Sequence, residues 1–161
     1  MNVLITGASA GFGKALAERL IANGHQVIGC ARRLDKLNNL AETLAEAFLP
    51  VVMDVSDTAA IPKIIADLPA NFKQIDVLVN NAGLALGTEP AQSSSLDDWM
   101  RMTDTNIKGL MALTHAVLPA MVARDSGYII NVGSIAGSWP YFGGNVYGAT
   151  KAFVKQFSLN L

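Results

Sequence analysis

The sequence predicts a doubly wound α/β sheet, and three observations carry that prediction. Short apolar, β-branched runs alternate with longer helix-patterned segments along the whole chain. The runs are almost unbroken in hydrophobicity, which suits strands covered on both faces in a parallel sheet. The order reads βαβαβαβαβα without repeats, low-complexity tracts or linkers, so a single domain over residues 1–161 is expected.

The first strand is expected at Asn2–Thr6, followed by a helix from about Gly11 to Asn23 with Gly24 as its stop. On that helix Leu16 and Leu20 lie four apart, and Ala17 and Ile21 widen the apolar stripe toward the sheet. A second strand, Gln26–Cys30, leads into a helix over roughly Asp35–Ala47. The third strand is expected at Val51–Asp54 and its helix at about Thr58–Leu68. After the fourth strand, Asp76–Asn80, the segment Thr88–Ser95 reads as a loop, and one long helix covers Leu96–Ala123. Ser95 with Asp98 three residues on resembles a capping box opening that helix. The fifth strand is Tyr128–Val132, and a last helix starts near Asn145 and still runs at Leu161.

Composition narrows the function classes. Of 161 residues 51% are hydrophobic and 16% charged, which excludes a disordered chain. A mean hydropathy of +0.33 fits buried parallel strands with a subunit interface as well. The net charge of −1 gives no electrostatic case for nucleic acid or an anionic membrane. The N-terminus turns polar too quickly for a signal peptide, and the most apolar stretch, Gly109 to Ala123, is interrupted by Thr114, His115 and Pro119. No membrane span is therefore expected, and the location is expected to be cytoplasmic. The single Cys30 reads as a small core residue. His25 and His115 have no partner at metal-ligand spacing, so no metal site is expected.

The chemistry begins at Thr6-Gly7-Ala8-Ser9-Ala10-Gly11-Phe12-Gly13, a strand entering a glycine-punctuated turn and then a helix. Glycines let the backbone turn sharply and approach a pyrophosphate, whose charge the free N–H groups of the helix start bind. About twenty residues on, an acid would hold ribose hydroxyls of an NAD cofactor. Here the sequence has Arg32 and Arg33 instead, either two guanidiniums for a 2′-phosphate or a solvated helix entrance. Asp35 is explained by the first turn of the following helix. Tyr147 and Lys151 lie four apart on the last predicted helix and face one way. Ser134 follows the fifth strand and precedes Tyr147 by thirteen residues, while Asn106 lies within the long helix. A phenol gives up its proton with difficulty near neutrality, and an ammonium beside it favours the phenolate. A serine hydroxyl can bond a substrate oxygen as its charge changes.

With its Gly-x3-Gly-x-Gly turn, Asn80-Asn81-Ala82-Gly83 and the Asn106, Ser134, Tyr147, Lys151 set in that order, the sequence resembles the classical short-chain dehydrogenase/reductase family over Met1–Leu161. The resemblance implies a Rossmann-like doubly wound parallel sheet and NADP as cofactor. It implies contacts from Gly7, Ser9, Gly11, Phe12, Gly13, Arg32 and Arg33, although Ala10 stands where many NADP-using relatives carry a basic residue. Asp54-Val55 would bond the adenine amino group, an alternative to a loop-capping role for Asp54. Asn80, Ala82 and Gly83 would face the cofactor, with Asn81 tying neighbouring strands. Lys151 would also bind the nicotinamide ribose, and the backbone of Asn106 would hold a proton-relay water.

The stretches Asn80–Gly87, Ala136–Tyr141 and Gly143–Lys151 are similar to the NADP-dependent 3-hydroxy acid dehydrogenase (serine 3-dehydrogenase) branch. That implies hydride transfer between NADP and serine, allo-threonine or other 3-hydroxy acids, or the matching semialdehydes. A ketone or aldehyde reductase and a non-catalytic NADP-binding module are the alternatives. Trp139, Tyr141 and Phe142 either line a substrate pocket or pack a loop. Family members continue past the helix carrying the Tyr-x3-Lys pair with two more strands and a closing segment. This chain is accordingly expected to be truncated after that helix and catalytically incomplete alone, with Tyr128–Val132 an exposed edge. Its long and terminal helices imply a homo-oligomer, dimer or tetramer.

Overall fold

The computed structural model describes all residues, 1–161. Five parallel strands form one sheet: β1 (Asn2–Thr6), β2 (Gln26–Ala31), β3 (Phe48–Val52), β4 (Val77–Asn80) and β5 (Tyr128–Asn131), in the order β3-β2-β1-β4-β5. The helices are α1 (Gly11–Ala22), α2 (Leu34–Leu44), α3 (Ile61–Ala66), α4 (Leu96–Thr103), α5 (Leu110–Ala123) and α6 (Asn145–Asn160). This is the doubly wound sheet expected from the sequence. The strand order reverses direction between β1 and β4, which opens a crevice at their carboxyl ends.

Because side chains alternate along a strand, each strand feeds both faces of the sheet. Val3, Ile5, Val77 and Val79 pack with Ala17, Leu37 and Leu40 under α1 and α2. Leu4, Ile28 and Leu78 pack on the other face with Ile61, Leu113, Val117 and Met121 from α3 and α5. Cys30 lies in that second cluster, and burial pushes its thiol up to about 12. The helical run Leu96–Ala123 is long and apolar enough to cross a membrane by length and composition, but Leu113, Val117 and Met121 make it a core helix here.

Three elements differ from expectation. β3 starts at Phe48, three residues before the expected Val51, and pairs Phe48 through Val52 with Val27 through Ala31. The Phe48 ring occupies the space beside Gly29, where a Cβ would lie 2.2 Å from the ring. Pro50 is tolerated because β3 is an edge strand. The third helix starts at Ile61 rather than Thr58, with Pro62 in its first turn, where a missing N–H is harmless. The long helix is continuous but not uniformly α: Asp104–Gly109 forms a π-helical turn between α4 and α5. By contrast, α1 ends as expected, with Gly24 at φ +79° and His25 N–H returning to Leu20 O at 3.1 Å.

Candidate active site

The first wall of the crevice is the turn between β1 and α1. Gly7 adopts φ +69°, a left-handed conformation that L side chains rarely take. Gly13 serves packing: a Cβ there would lie 2.4 Å from Gly7 O and 2.6 Å from Asn81 Nδ2. It therefore brings α1 against the turn without lining the crevice, which corrects its expected cofactor contact. No side chain caps the N-terminus of α1 and no acid occupies its first turn. The first N–H groups of that helix are left for an anion. At α4, in contrast, Ser95 Oγ accepts from Asp98 N–H at 3.4 Å, half of the expected capping box.

The crevice holds a cavity of about 490 Å³ between the β1, β2, β3 and β4 ends. Among its lining residues are the expected Gly7, Ser9, Gly11, Phe12, Arg32 and Arg33. Asp54, Val55, Ala82 and Gly83 of the expected set line it too. Arg33 Nη2 donates to Ser9 Oγ at 3.1 Å, drawing the β2 and β1 turns together across the mouth. Asp54 caps its own loop, its Oδ1 accepting from Ser56 N–H at 3.0 Å and from Ser56 Oγ at 2.7 Å, and it also lines the crevice. The left-handed glycine, the uncapped helix start and the two guanidiniums fit a dinucleotide carrying an extra phosphate.

Asn80 does not face the crevice, which is the second correction. It is 5% exposed and donates to Thr114 Oγ1 at 3.1 Å and Asn131 Oδ1 at 2.9 Å, tying β4 to α5 and β5. A buried amide needs partners, and both of these lie across the sheet. Asn81 ties strands as expected, donating to Thr6 O at 2.8 Å, and it lines the crevice as well. Thr6, unremarked in the sequence, completes this joint: its hydroxyl accepts from Asn81 N–H at 3.0 Å and Ala82 N–H at 2.9 Å. Met53, Leu84 and Thr105 also line the crevice, and no spacing signal marked them.

Gly83 is where the crevice meets the Asn-Ser-Tyr-Lys set. A Cβ on it would lie 3.4 Å from Asn106 Oδ1 and 3.5 Å from Lys151 Nζ. Asn106, on the π turn, is 2% exposed. Lys151, on α6, is 7% exposed, and its Nζ donates to Val132 O at 2.8 Å. No carboxylate pairs with it, and burial lowers its ammonium below the usual lysine range. Ser134 precedes a short 3₁₀ turn, Ile135–Gly137, and its Oγ accepts from Ala136 N–H at 3.2 Å. Gly137 lets that turn touch the backbone of Lys151, where a Cβ would lie 2.6 Å from its carbonyl. Tyr147 is half-buried one turn before Lys151.

Trp139 and Tyr141 line a separate cavity of about 290 Å³ against Gly148, Ala149 and Ala152. Neither Tyr147 nor Lys151 lines it. Phe142 lines neither cavity and is exposed.

Fold and crevice together are those of a doubly wound, dinucleotide-type α/β domain, and the chain belongs to the short-chain dehydrogenase family, whose model matches residues 1–161. It is 60% identical over 161 residues to the NADP-dependent 3-hydroxy acid dehydrogenase YdfG of Salmonella typhimurium, covering all of this chain and 65% of that protein. It is 51% identical over 160 residues to the serine 3-dehydrogenase of Agrobacterium fabrum, covering 99% of this chain and 64% of that one. The chain thus spans about two thirds of the length of these relatives. A closed form of a serine dehydrogenase complexed with NADP+ superposes with a TM-score of 0.98 at 57% identity, over 99% of this chain and 64% of that one.

Proposed function

We propose that this chain binds NADP and transfers hydride between it and a 3-hydroxy acid such as serine or allo-threonine, or the matching semialdehyde. The observation that carries the proposal is the junction at Gly83: a crevice with Arg32 and Arg33 at one end meets Lys151 and Asn106 at the other. The relatives named above support the cofactor and the substrate class.

NADP, when bound, supplies or accepts the hydride. Gly7, the α1 N-terminus and the two arginines would hold its phosphates, and Asp54 its adenine. Tyr147 exchanges the proton of the substrate hydroxyl, acting as base in oxidation and as acid in reduction. Lys151, without a carboxylate partner, would favour the phenolate of Tyr147 and would hold the nicotinamide ribose when the cofactor is bound. Ser134 receives its hydrogen bond from Ala136 N–H, so its own hydroxyl proton is free for the substrate oxygen.

We further place the protein in the cytoplasm and as a homo-oligomer. The exposed Leu96, Met100, Met111 and Val122 of the long helix, with Leu159 of α6 and Leu161 just after it, support the second point. The mass of the chain in solution tests it, since a monomer would contradict it.

The deciding experiment follows nicotinamide absorbance with NADP and serine, allo-threonine and other 3-hydroxy acids. Serine-dependent NADPH formation that Tyr147→Phe abolishes is expected. Turnover only with simple ketones or aldehydes would overturn the substrate class. Tight NADPH binding with no turnover on any substrate, in a chain extended to the length of the relatives as well as in this one, would favour a binding module.

A further inference from the structure

The side chain of Asn106 makes three hydrogen bonds to two residues, Leu84 and Thr150. Its Oδ1 accepts from Leu84 N–H at 2.9 Å, and its Nδ2 donates to Leu84 O at 2.9 Å. The remaining Nδ2 hydrogen goes to Thr150 Oγ1 at 3.1 Å. Thr150 is 1% exposed, and its hydroxyl donates its own proton to Tyr147 O at 2.8 Å. A hydroxyl has one proton to give, so a threonine that spends it inside α6 can meet Asn106 only as an acceptor. The pair of bonds with Leu84 sets which way the Asn106 amide points, and the acceptor on Thr150 adds the bond that ties its Nδ2 to α6.

We propose that Thr150 is a positioning residue. It locks the Asn106 amide, and through it the π turn and the Gly83-Leu84 wall of the crevice, to the helical turn carrying Tyr147 and Lys151. A helical threonine ordinarily satisfies itself on the carbonyl three or four residues back and needs no tertiary partner. Thr150 makes that bond and a buried second one, and the second links the π turn to α6. Asn106 Oδ1 and Lys151 Nζ both abut the same face of Gly83. A rotated Asn106 amide therefore alters the wall against which cofactor and Lys151 are set. The consequence for turnover rests on the function proposed above; the bonding role does not.

The test compares the parent chain with Thr150→Val, which keeps the shape and removes the hydroxyl, and Thr150→Ser, which keeps the hydroxyl. Hydrogen exchange of the Asn106 side-chain amide and the Leu84 N–H is followed by ¹⁵N NMR. Both are expected to exchange at least about tenfold faster in Thr150→Val and near parent rates in Thr150→Ser. In turnover, Thr150→Val is expected to lower kcat roughly tenfold to a hundredfold with KM for NADP changed less than about twofold, and Thr150→Ser to restore kcat. Unchanged exchange in a folded Thr150→Val chain overturns the positioning role. Faster exchange with unchanged kcat overturns its catalytic consequence. If the parent chain binds NADPH without turnover, exchange decides the role of Thr150 by itself. Thr150→Ala replaces the valine variant if that one does not fold.

Discussion

The two arginines at the mouth of the crevice allow a worked prediction. Replacing Arg32 and Arg33 by alanine removes both cations that could meet a 2′-phosphate, while leaving the glycine turn and the α1 N-terminus untouched. A hydrogen bond to a charged group contributes about 1.5–3 kcal/mol. Both side chains are exposed, so water screens them and the lower end applies. At about 1.4 kcal/mol per factor of ten, each arginine is worth roughly tenfold in NADPH affinity. The pair is worth about a hundredfold, less any coupling between neighbours. Arg33 should matter more than Arg32, because its guanidinium is already held by Ser9 Oγ and loses less freedom on binding. The assay is a fluorescence titration with NADPH and, as control, NADH. NADPH affinity should fall and NADH affinity hold within about twofold, and the parent's preference should shrink as salt shortens the screening length below about 10 Å. Equal affinity for both cofactors in the parent, or a parallel loss of both in the variant, would refute the reasoning.

Other predictions concern the rest of the site. Tyr147→Phe should abolish turnover with NADPH affinity nearly unchanged, measured by single-turnover kinetics and titration, since it removes only the proton carrier. Gly13→Ala forces a methyl to within 2.4 Å of Gly7 O and should destabilise the chain by about 1–3 kcal/mol, read in urea melts, while weakening NADPH binding. Lys151→Met tests the buried ammonium through pH. Burial holds the folded group below its ordinary 10.5, so the unfolded chain binds the extra proton in the window between the folded value and 10.5. The parent's stability relative to Lys151→Met should therefore rise as pH climbs through that window, and urea melts at pH 7 and 10 giving the opposite trend would contradict it. Cys30, pushed up to about 12 and buried, should resist alkylation at pH 8 until the chain unfolds, as mass spectrometry would register.

The sequence by itself determined the sheet class, most strand positions and the glycine turn, because these follow from local rules. Apolar runs need cover on both faces, and left-handed turns need glycine. Tyr147 and Lys151 were legible for the same reason: four residues on a helix share a face whatever the helix packs against. Tertiary structure decided what depends on the partner across the sheet. The early start of β3 needed Gly29 to make room for Phe48, a match visible only once the strands are paired. Asn80 and Asn81 are neighbours of one residue type, and only the pleat sends Asn80 inward to Thr114 and Asn131 and leaves Asn81 on the crevice. The π turn at Asn106 and its bond to Thr150 join residues 44 positions apart. No periodicity along one chain encodes such a contact, because the amide and the hydroxyl acquire their partners only when α6 closes against the long helix and burial removes the water that would otherwise satisfy them.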